Sequence, residues 1–208
     1  MTEILWHGRG GQGAFTAAKL LGASYSQGEG KSALAFPSFG PERRGAPILA
    51  FTKLDTKEIG DRSQIKKADY VIYLDDTLFS PAAFNEIKEG GKILVNTKKS
   101  AEELAKAFVE HGENIAPATI IPFDADSLAL EVLKMPVSNT AMLSLLACES
   151  KIVSEEELLQ AVQLYMPSKI AAKNVELVKR VYDAALAGTV GAESFQKGES
   201  TSISGGSK

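Results

Sequence analysis

The sequence is poor in cysteine and histidine, and this scarcity excludes several kinds of site. Its 208 residues contain one cysteine, Cys148, and two histidines, His7 and His111. An internal disulfide needs two cysteines, and a structural zinc or a [4Fe–4S] centre takes a cluster of them. We therefore expect no disulfide, zinc finger or iron–sulfur cluster within this chain, and a metal site could be built only from carboxylates.

Long apolar runs and a large charge of one sign are also missing. No stretch approaches the ~18–20 uninterrupted apolar residues of a membrane span, and Met1–Ile4 lead directly into strand-like sequence without a basic or long apolar leader. The formal net charge of −3 gives no general attraction to nucleic acid or anionic membranes, so any anion site must be local. These features favour a cytoplasmic protein.

Strand-like and helical segments alternate along the chain, which predicts an α/β fold. The expected architecture is a mainly parallel open sheet with helices on both faces. Two of the predicted strands, 32–36 and 47–53, are joined by a connection too short for a crossover helix, so they should form an antiparallel hairpin. Beyond residue 122 the apolar spacing is helical throughout, which predicts a helical C-terminal region.

Two boundaries follow from glycine-rich positions. Residues 80–89 are predicted to form a helix that Gly90 and Gly91 close in the manner of a C-cap. At the end of the chain, residues 188–208 form a Gly/Ser-rich tail without the apolar surface to fold alone. We therefore divide the chain into one α/β domain over residues 1–187 and a tail that is either partner-bound or flexible.

The motif Gly8-Arg-Gly-Gly-Gln-Gly13 lies between the first predicted strand and the first predicted helix. Glycines let the backbone approach a ligand closely, and the exposed N–H groups of a helix amino end attract phosphate. A dinucleotide site would also need an acidic residue at the end of the second strand, which here runs into Pro37. The motif thus indicates anion binding more than NAD binding. The alternative is a tight turn that only packs against the sheet.

Residues 36–47 form an unusual connection that contains three prolines, two large aromatics and two arginines, Arg43 and Arg44. Arginine pairs bidentately with phosphate or carboxylate and stacks on flat groups. The connection therefore suits a phosphorylated ligand or an acidic partner surface. The alternative is a solvated hairpin tip in which Arg43 pairs with Glu42.

Taken together, these two motifs resemble the gamma subunit of pyruvate and other 2-oxoacid:ferredoxin oxidoreductases. Further similarity lies in Tyr70–Asp75, Lys92–Asn96 and Ser138–Met142, and the match runs over most of residues 3–185 without the tail. The resemblance implies an α/β subunit that is inert alone and contains no catalytic residue. It associates with alpha, beta and delta subunits, and is linked to coenzyme A and to packing of the complex.

The reaction implied by the resemblance converts a 2-oxoacid, most commonly pyruvate, and coenzyme A to an acyl-CoA and carbon dioxide. Two electrons pass to ferredoxin. Thiamine diphosphate with Mg²⁺ is held by the alpha and beta subunits, and the [4Fe–4S] clusters by a delta subunit or domain. Neither nucleic acid nor a membrane span belongs to this scheme.

Carried onto this sequence, the resemblance gives three groups of candidate cofactor-binding residues: Gly10, Gly11, Gln12 and Gly13; Arg43 and Arg44; Asn139 and Thr140. The first group would bind an anion, and the arginines would engage coenzyme A phosphates or a partner. The third group would cap a helix near the same site. Two other functions stay open: a free-standing nucleotide- or coenzyme A-binding protein, and a dinucleotide-dependent oxidoreductase, which the missing acidic residue disfavours.

Three further residue types have plainer roles. We expect His7 to be a hydrogen-bonded structural histidine rather than a general base. Asp75 and Asp76 follow a strand where a carboxylate pair could bind Mg²⁺, but without further ligands nearby we interpret Asp76-Thr77 as a helix or turn cap. Cys148, within an apolar helix, should serve packing.

Overall fold

A computed structural model describes residues 1–38, 44–110 and 119–188 of the chain. These residues form six strands: β1 (Thr2–Arg9), β2 (Ser32–Pro37), β3 (Pro47–Asp55), β4 (Ala68–Tyr73), β5 (Ile87–Asn96) and β6 (Ile120–Phe123). The same parts of the chain contain seven α-helices: α1 (Ala14–Tyr25), α2 (Ala83–Glu86), α3 (Ala101–Glu110), α4 (Ala125–Leu133), α5 (Asn139–Ser150), α6 (Glu155–Tyr165) and α7 (Ser168–Leu186). The boundary proposed at residue 188 stays a prediction, because most of the tail lies outside the described residues.

The strands form one sheet in the order β2-β3-β1-β4-β5-β6. Strands β1, β4, β5 and β6 run parallel, whereas β3 is antiparallel to both of its neighbours. At the centre of the sheet, Leu5 pairs with Val71 on one side and Phe51 on the other. The predicted parallel sheet and the β2–β3 hairpin are therefore confirmed.

Each face of the sheet has its own apolar core, because successive side chains of a strand point to opposite faces. Ile4 and Trp6 of β1 pack on the face covered by α1 and α4 to α7. Leu5 faces the other side, where α3 supplies Phe108. The Trp6 indole N–H donates to Thr52 Oγ1 at 3.1 Å, so burial of the ring leaves its polar group paired.

The helical region predicted beyond residue 122 is confirmed, since the chain there forms the helices α4 to α7 after the short strand β6. Ser154 and Glu157 form a capping box at the start of α6, and Ser100 and Glu103 form the equivalent one before α3. Of the helices that the structure describes, none has the length and apolar character to cross a membrane.

The prediction of a helix over residues 80–89 was wrong. Helix α2 covers only Ala83–Glu86, and β5 begins at Ile87 and runs through Gly90 and Gly91. The glycines serve a strand irregularity instead of a C-cap. Gly90 has φ 74°, and a Cβ on Gly91 would lie 2.8 Å from the carbonyl oxygen of Asp69 on β4. Glycine is favoured at the first position by the positive φ and required at the second by the close backbone contact.

A cluster of charged residues lies at the edge where β1, β4 and β5 begin. Lys53 of β3 is 1 % exposed, and its Nζ lies 2.5 Å from Asp61 Oδ2. Beside it, Lys88 Nζ lies 2.9 Å from Glu3 Oε2 and 2.8 Å from Asp69 Oδ2. The hydrogen bond from Lys53 is the main cause that lowers the pKa of Asp61 below its ordinary value. The buried ammonium is thereby neutralised.

Candidate functional site

The opposite edge of the sheet carries a topological switch point. After β1 the chain turns into α1 on one face, whereas after β4 it continues through a 3₁₀ turn at Asp76–Leu78 and α2 on the other face. Connections that leave adjacent parallel strands toward opposite faces open a crevice at the strand ends, where α/β proteins bind ligands. The glycine motif begins at this crevice.

The glycine loop is a tight turn that leaves the start of α1 open. Gln12 N donates to Arg9 O at 2.9 Å to close the turn, and Gly11 and Gly13 have φ values of 98° and 82°. Gly13 is the N-cap of α1, and no side chain in the described part of the chain caps this helix. The first N–H groups of α1 thus have no side-chain partner among the described residues, and in this sense the start of the helix is open.

The start of α5 packs directly on this loop. Asn139 Nδ2 donates to Gly13 O at 3.3 Å, and a Cβ on Gly13 would lie 2.5 Å from that nitrogen. The prediction that Asn139 and Thr140 cap the helix is wrong, because Ser138 is the N-cap and its carbonyl accepts the first helical bond from Met142 N. The buried Thr140 Oγ1 has no hydrogen-bond partner among the described residues.

Asn96, at the end of β5, holds the surrounding elements together. Its Nδ2 donates to Leu74 O at 3.0 Å and to Ser138 Oγ at 3.1 Å. Its Oδ1 accepts from the backbone N–H of Ala125 at 3.0 Å and of Asp126 at 3.3 Å. One buried amide therefore joins the end of β4, the start of α4 and the N-cap of α5.

Asp75, directly after β4, contacts the glycine loop from the other side. Its Oδ2 accepts from Arg9 Nε at 2.9 Å and from Gln12 Nε2 at 3.1 Å. Its Oδ1 accepts from Thr77 N at 3.0 Å and from the Thr77 hydroxyl. Partial burial would raise the pKa of Asp75, but hydrogen bonds from Thr77, Gln12 and Arg9 outweigh it and lower the pKa. The carboxylate is ionised at neutral pH.

The proline-rich connection returns to the same place. Gly10 N donates to Ala46 O at 2.8 Å, and Gly45 N donates to Gly10 O at 3.0 Å. Arg44 forms a β-bridge with Gly10 and is exposed, so its charge lies beside the loop. Arg43 falls outside the described residues. Two motifs that are separated by more than twenty residues in sequence thus form one surface.

The arrangement of strands argues against a dinucleotide site. In a dinucleotide-binding unit the second strand lies next to the first, so that an acidic residue at its end reaches the ribose. Here β3 occupies that place and β2 is one strand further out. The position of that acidic residue is therefore lost, in agreement with its absence from the sequence.

His7 and Cys148 have the packing roles expected of them. His7 stacks on Tyr73 with ring centroids 4.3 Å apart, and Glu86 Oε2 lies 2.8 Å from His7 Nε2. Burial, with the nearby Glu149 carboxylate, raises the pKa of the Cys148 thiol to about 12. A thiol that stays protonated at neutral pH is a poor nucleophile.

Two sizeable cavities lie away from the glycine loop. A pocket of about 730 Å³ lies beside Cys148 and Tyr182, and another of about 450 Å³ lies between α1 and α6. The second is lined mainly by small or apolar side chains such as Ala33 and Ala35. We place the candidate site at the glycine loop instead, because open helix N–H groups and arginine meet there at a switch point.

Arg9, Asp75 and Asn96 are the residues of this site whose contacts the sequence did not predict. Arg9 Nε and Asp75 are 66 positions apart, and no local pattern links them. Their positions along the predicted strands were the signal that could have identified these residues. Each of the three ends or follows a predicted parallel strand, and the ends of parallel strands meet at one edge.

Comparison with known proteins gives consistent similarities. Residues 3–184 match the pyruvate ferredoxin/flavodoxin oxidoreductase family. The pyruvate/ketoisovalerate oxidoreductases common subunit gamma of Thermococcus litoralis is 39 % identical over 184 residues, which cover 88 % of this chain and 96 % of that protein. The pyruvate synthase subunit PorC of Methanothermobacter marburgensis is 41 % identical, with 88 % and 97 % covered. The crystal structure of a pyruvate oxidoreductase subunit from Thermotoga maritima has a TM-score of 0.73 and 34 % identity, with 88 % and 95 % covered.

Proposed function

Since this chain belongs to the pyruvate ferredoxin/flavodoxin oxidoreductase family, we propose that it is the gamma subunit of a 2-oxoacid:ferredoxin oxidoreductase complex. The complex would convert a 2-oxoacid, in the first instance pyruvate, and coenzyme A to an acyl-CoA and carbon dioxide, with two electrons passed to ferredoxin. The names of relatives that match over nearly their whole length support this role. Alpha, beta and delta subunits would be its partners.

In this proposal the chain binds and orients but performs no redox chemistry. A [4Fe–4S] cluster takes four cysteines, and this sequence has one. The clusters, and thiamine diphosphate with its Mg²⁺, would therefore lie in partner subunits. This chain would contribute to coenzyme A handling and to assembly of the complex.

The observation that carries the coenzyme A assignment is the open start of α1 beside Arg44. The diphosphate of coenzyme A would accept hydrogen bonds from the first N–H groups of α1, since Gly13 offers no side chain to occupy them. Arg44, and Arg43 next to it in sequence, would supply positive charge. Asn139 would hold the loop in place through its bond to Gly13 O.

Purification of the tagged chain from its own cells tests the assembly. We expect larger chains to co-purify, with thiamine diphosphate and iron–sulfur content, and we expect reduction of ferredoxin with pyruvate among a panel of 2-oxoacids. A chain that purifies alone and still binds coenzyme A would overturn the subunit role and leave a free-standing binding protein.

Replacement of Arg43 and Arg44 by glutamine tests the ligand. We expect weaker binding of coenzyme A to the complex and unchanged binding of pantetheine, which lacks the phosphates. Arg62 and Lys66, which are exposed in the segment between β3 and β4, are the matched control for lost positive charge. Coenzyme A affinity that is equal in both double variants would exclude the two arginines from the site.

A further inference from the structure

We propose that Asp75 is a positioning residue for coenzyme A, acting through Arg9 and Gln12 to hold the glycine loop against the segment that carries Arg44. The inference rests on the proposed function, because it assigns a purpose to the same surface. It adds a residue that would contact no ligand and would still determine how well the ligand binds.

The first step of the argument is the number of loop groups that Asp75 fixes. Its Oδ2 accepts from Arg9 Nε and Gln12 Nε2, which belong to the two residues that close the loop turn. Gln12 in turn accepts, through Oε1, from Arg9 N at 2.7 Å. The carboxylate therefore orients both ends of the turn at once.

The second step is the link to Arg44. Arg9 Nη1 donates to Gly45 O at 3.1 Å, and Arg9 Nη2 donates to Thr77 Oγ1 at 2.8 Å. With Nε on Asp75, every nitrogen of the guanidinium has a protein acceptor. Arg9 thus joins the end of β1 to the segment next to Arg44. Asp75 fixes the orientation of the Arg9 guanidinium.

The third step concerns charge. The Arg9–Asp75 ion pair is only partly exposed, with 32 % and 17 % of the two side chains accessible. Because Asp75 neutralises Arg9, the positive charge beside the loop in the described part of the chain comes from the exposed Arg44, together with the backbone N–H groups of α1. Asp75 would therefore affect the phosphates of the ligand only through the placement of these groups.

The test uses the complete complex with Asp75→Asn, which keeps the side-chain shape and can still accept from Thr77 N. We expect the KM for coenzyme A to rise about ten-fold, with kcat and the KM for the 2-oxoacid unchanged. Arg9→Gln should give the same rise, and the double variant should give no more. Asp76→Asn is the matched control, because Asp76 bonds Thr97 Oγ1 at 2.8 Å at the same sheet edge without touching the loop.

Hydrogen exchange of the Gly10 and Gly45 amides tests positioning without any ligand. Both should exchange faster in Asp75→Asn than in Asp76→Asn. An unchanged exchange rate, or a KM for coenzyme A equal to that of Asp76→Asn, would overturn the inference. A wild-type complex that does not use coenzyme A would instead overturn the proposed function, and the exchange rates would still decide whether Asp75 holds the loop.

Discussion

At the scale of single residues, the shape of the glycine loop depends on the close packing of Asn139 against Gly13 as much as on hydrogen bonds. Gly13 has a left-handed backbone and lies directly against the Asn139 amide. Gly11 has a positive φ as well, but space around it is open. Both glycines thus need backbone freedom. Of the two, only Gly13 also leaves no room for a Cβ.

Replacement of these glycines by alanine separates the two requirements. Gly11→Ala should lower the free energy of unfolding by about 1 kcal/mol, the cost of a left-handed non-glycine residue. Gly13→Ala should cost at least about 2 kcal/mol, because its Cβ would also displace Asn139. Urea unfolding of both variants measures the difference. Equal losses would show that the contact with Asn139 carries no packing constraint.

At the scale of elements, the sequence predicts best where local signals agree. The helical spacing of apolar residues beyond residue 122 predicted the helical C-terminal region correctly, because this signal repeats every few residues along the chain. The start of β5 was missed because Gly90-Gly91 has the same composition in a C-cap and in a strand irregularity. What distinguishes the two is contact with Asp69 on another strand, which no local pattern contains.

The capping box of α6 should also make stability depend on pH. Partial burial would raise the pKa of Glu157, but hydrogen bonds from Ser154 and from Lys31, at 3.1 Å, outweigh it and hold the pKa below its ordinary 4.5. A depressed folded-state pKa means that Glu157 stabilises the fold above pH 4.5, and that this stabilisation is lost as the pH falls through the lowered value.

Glu157→Gln should therefore be less stable than the wild type at pH 7, by no more than about 1 kcal/mol for a partly exposed pair. This gap in unfolding free energy should narrow toward pH 3. Urea unfolding across that range measures it, with Glu156→Gln as the control in the same helical turn. A gap that stays constant with pH would contradict the assignment.

At the scale of the whole molecule, the candidate site joins segments that are far apart in sequence. The glycine motif and the proline-rich connection were recognised separately, but their pairing through Gly10 and Ala46 depends on the position of β3 next to β1. The charge pair of Arg9 and Asp75 depends likewise on β1 lying next to β4. Residue types indicated which groups could bind an anion, whereas the positions of these groups relative to one another required the strand order.

The proposed domain boundary predicts that the tail beyond residue 187 contributes little to the stability of the whole molecule. Helix α7 is held by Leu177, Val178 and Val181, whereas Leu186 is 83 % exposed. A chain that ends after Gly188 should therefore keep the thermal unfolding temperature of the full chain. One that ends after Arg180 should unfold several degrees lower, since it loses the buried Val181. A large shift for the first truncation would contradict the proposed domain boundary.

The ion cluster around Lys53 and the glycine loop lie at opposite ends of the central strands. Six residues of β4 separate the two edges by about 20 Å, beyond the distance at which substitutions usually influence each other. Changes at Lys53 and Lys88 should then add to changes at the loop without coupling to them. Under the proposed function, substitutions in the Lys53 cluster would change stability and leave ligand binding at the loop edge unaltered.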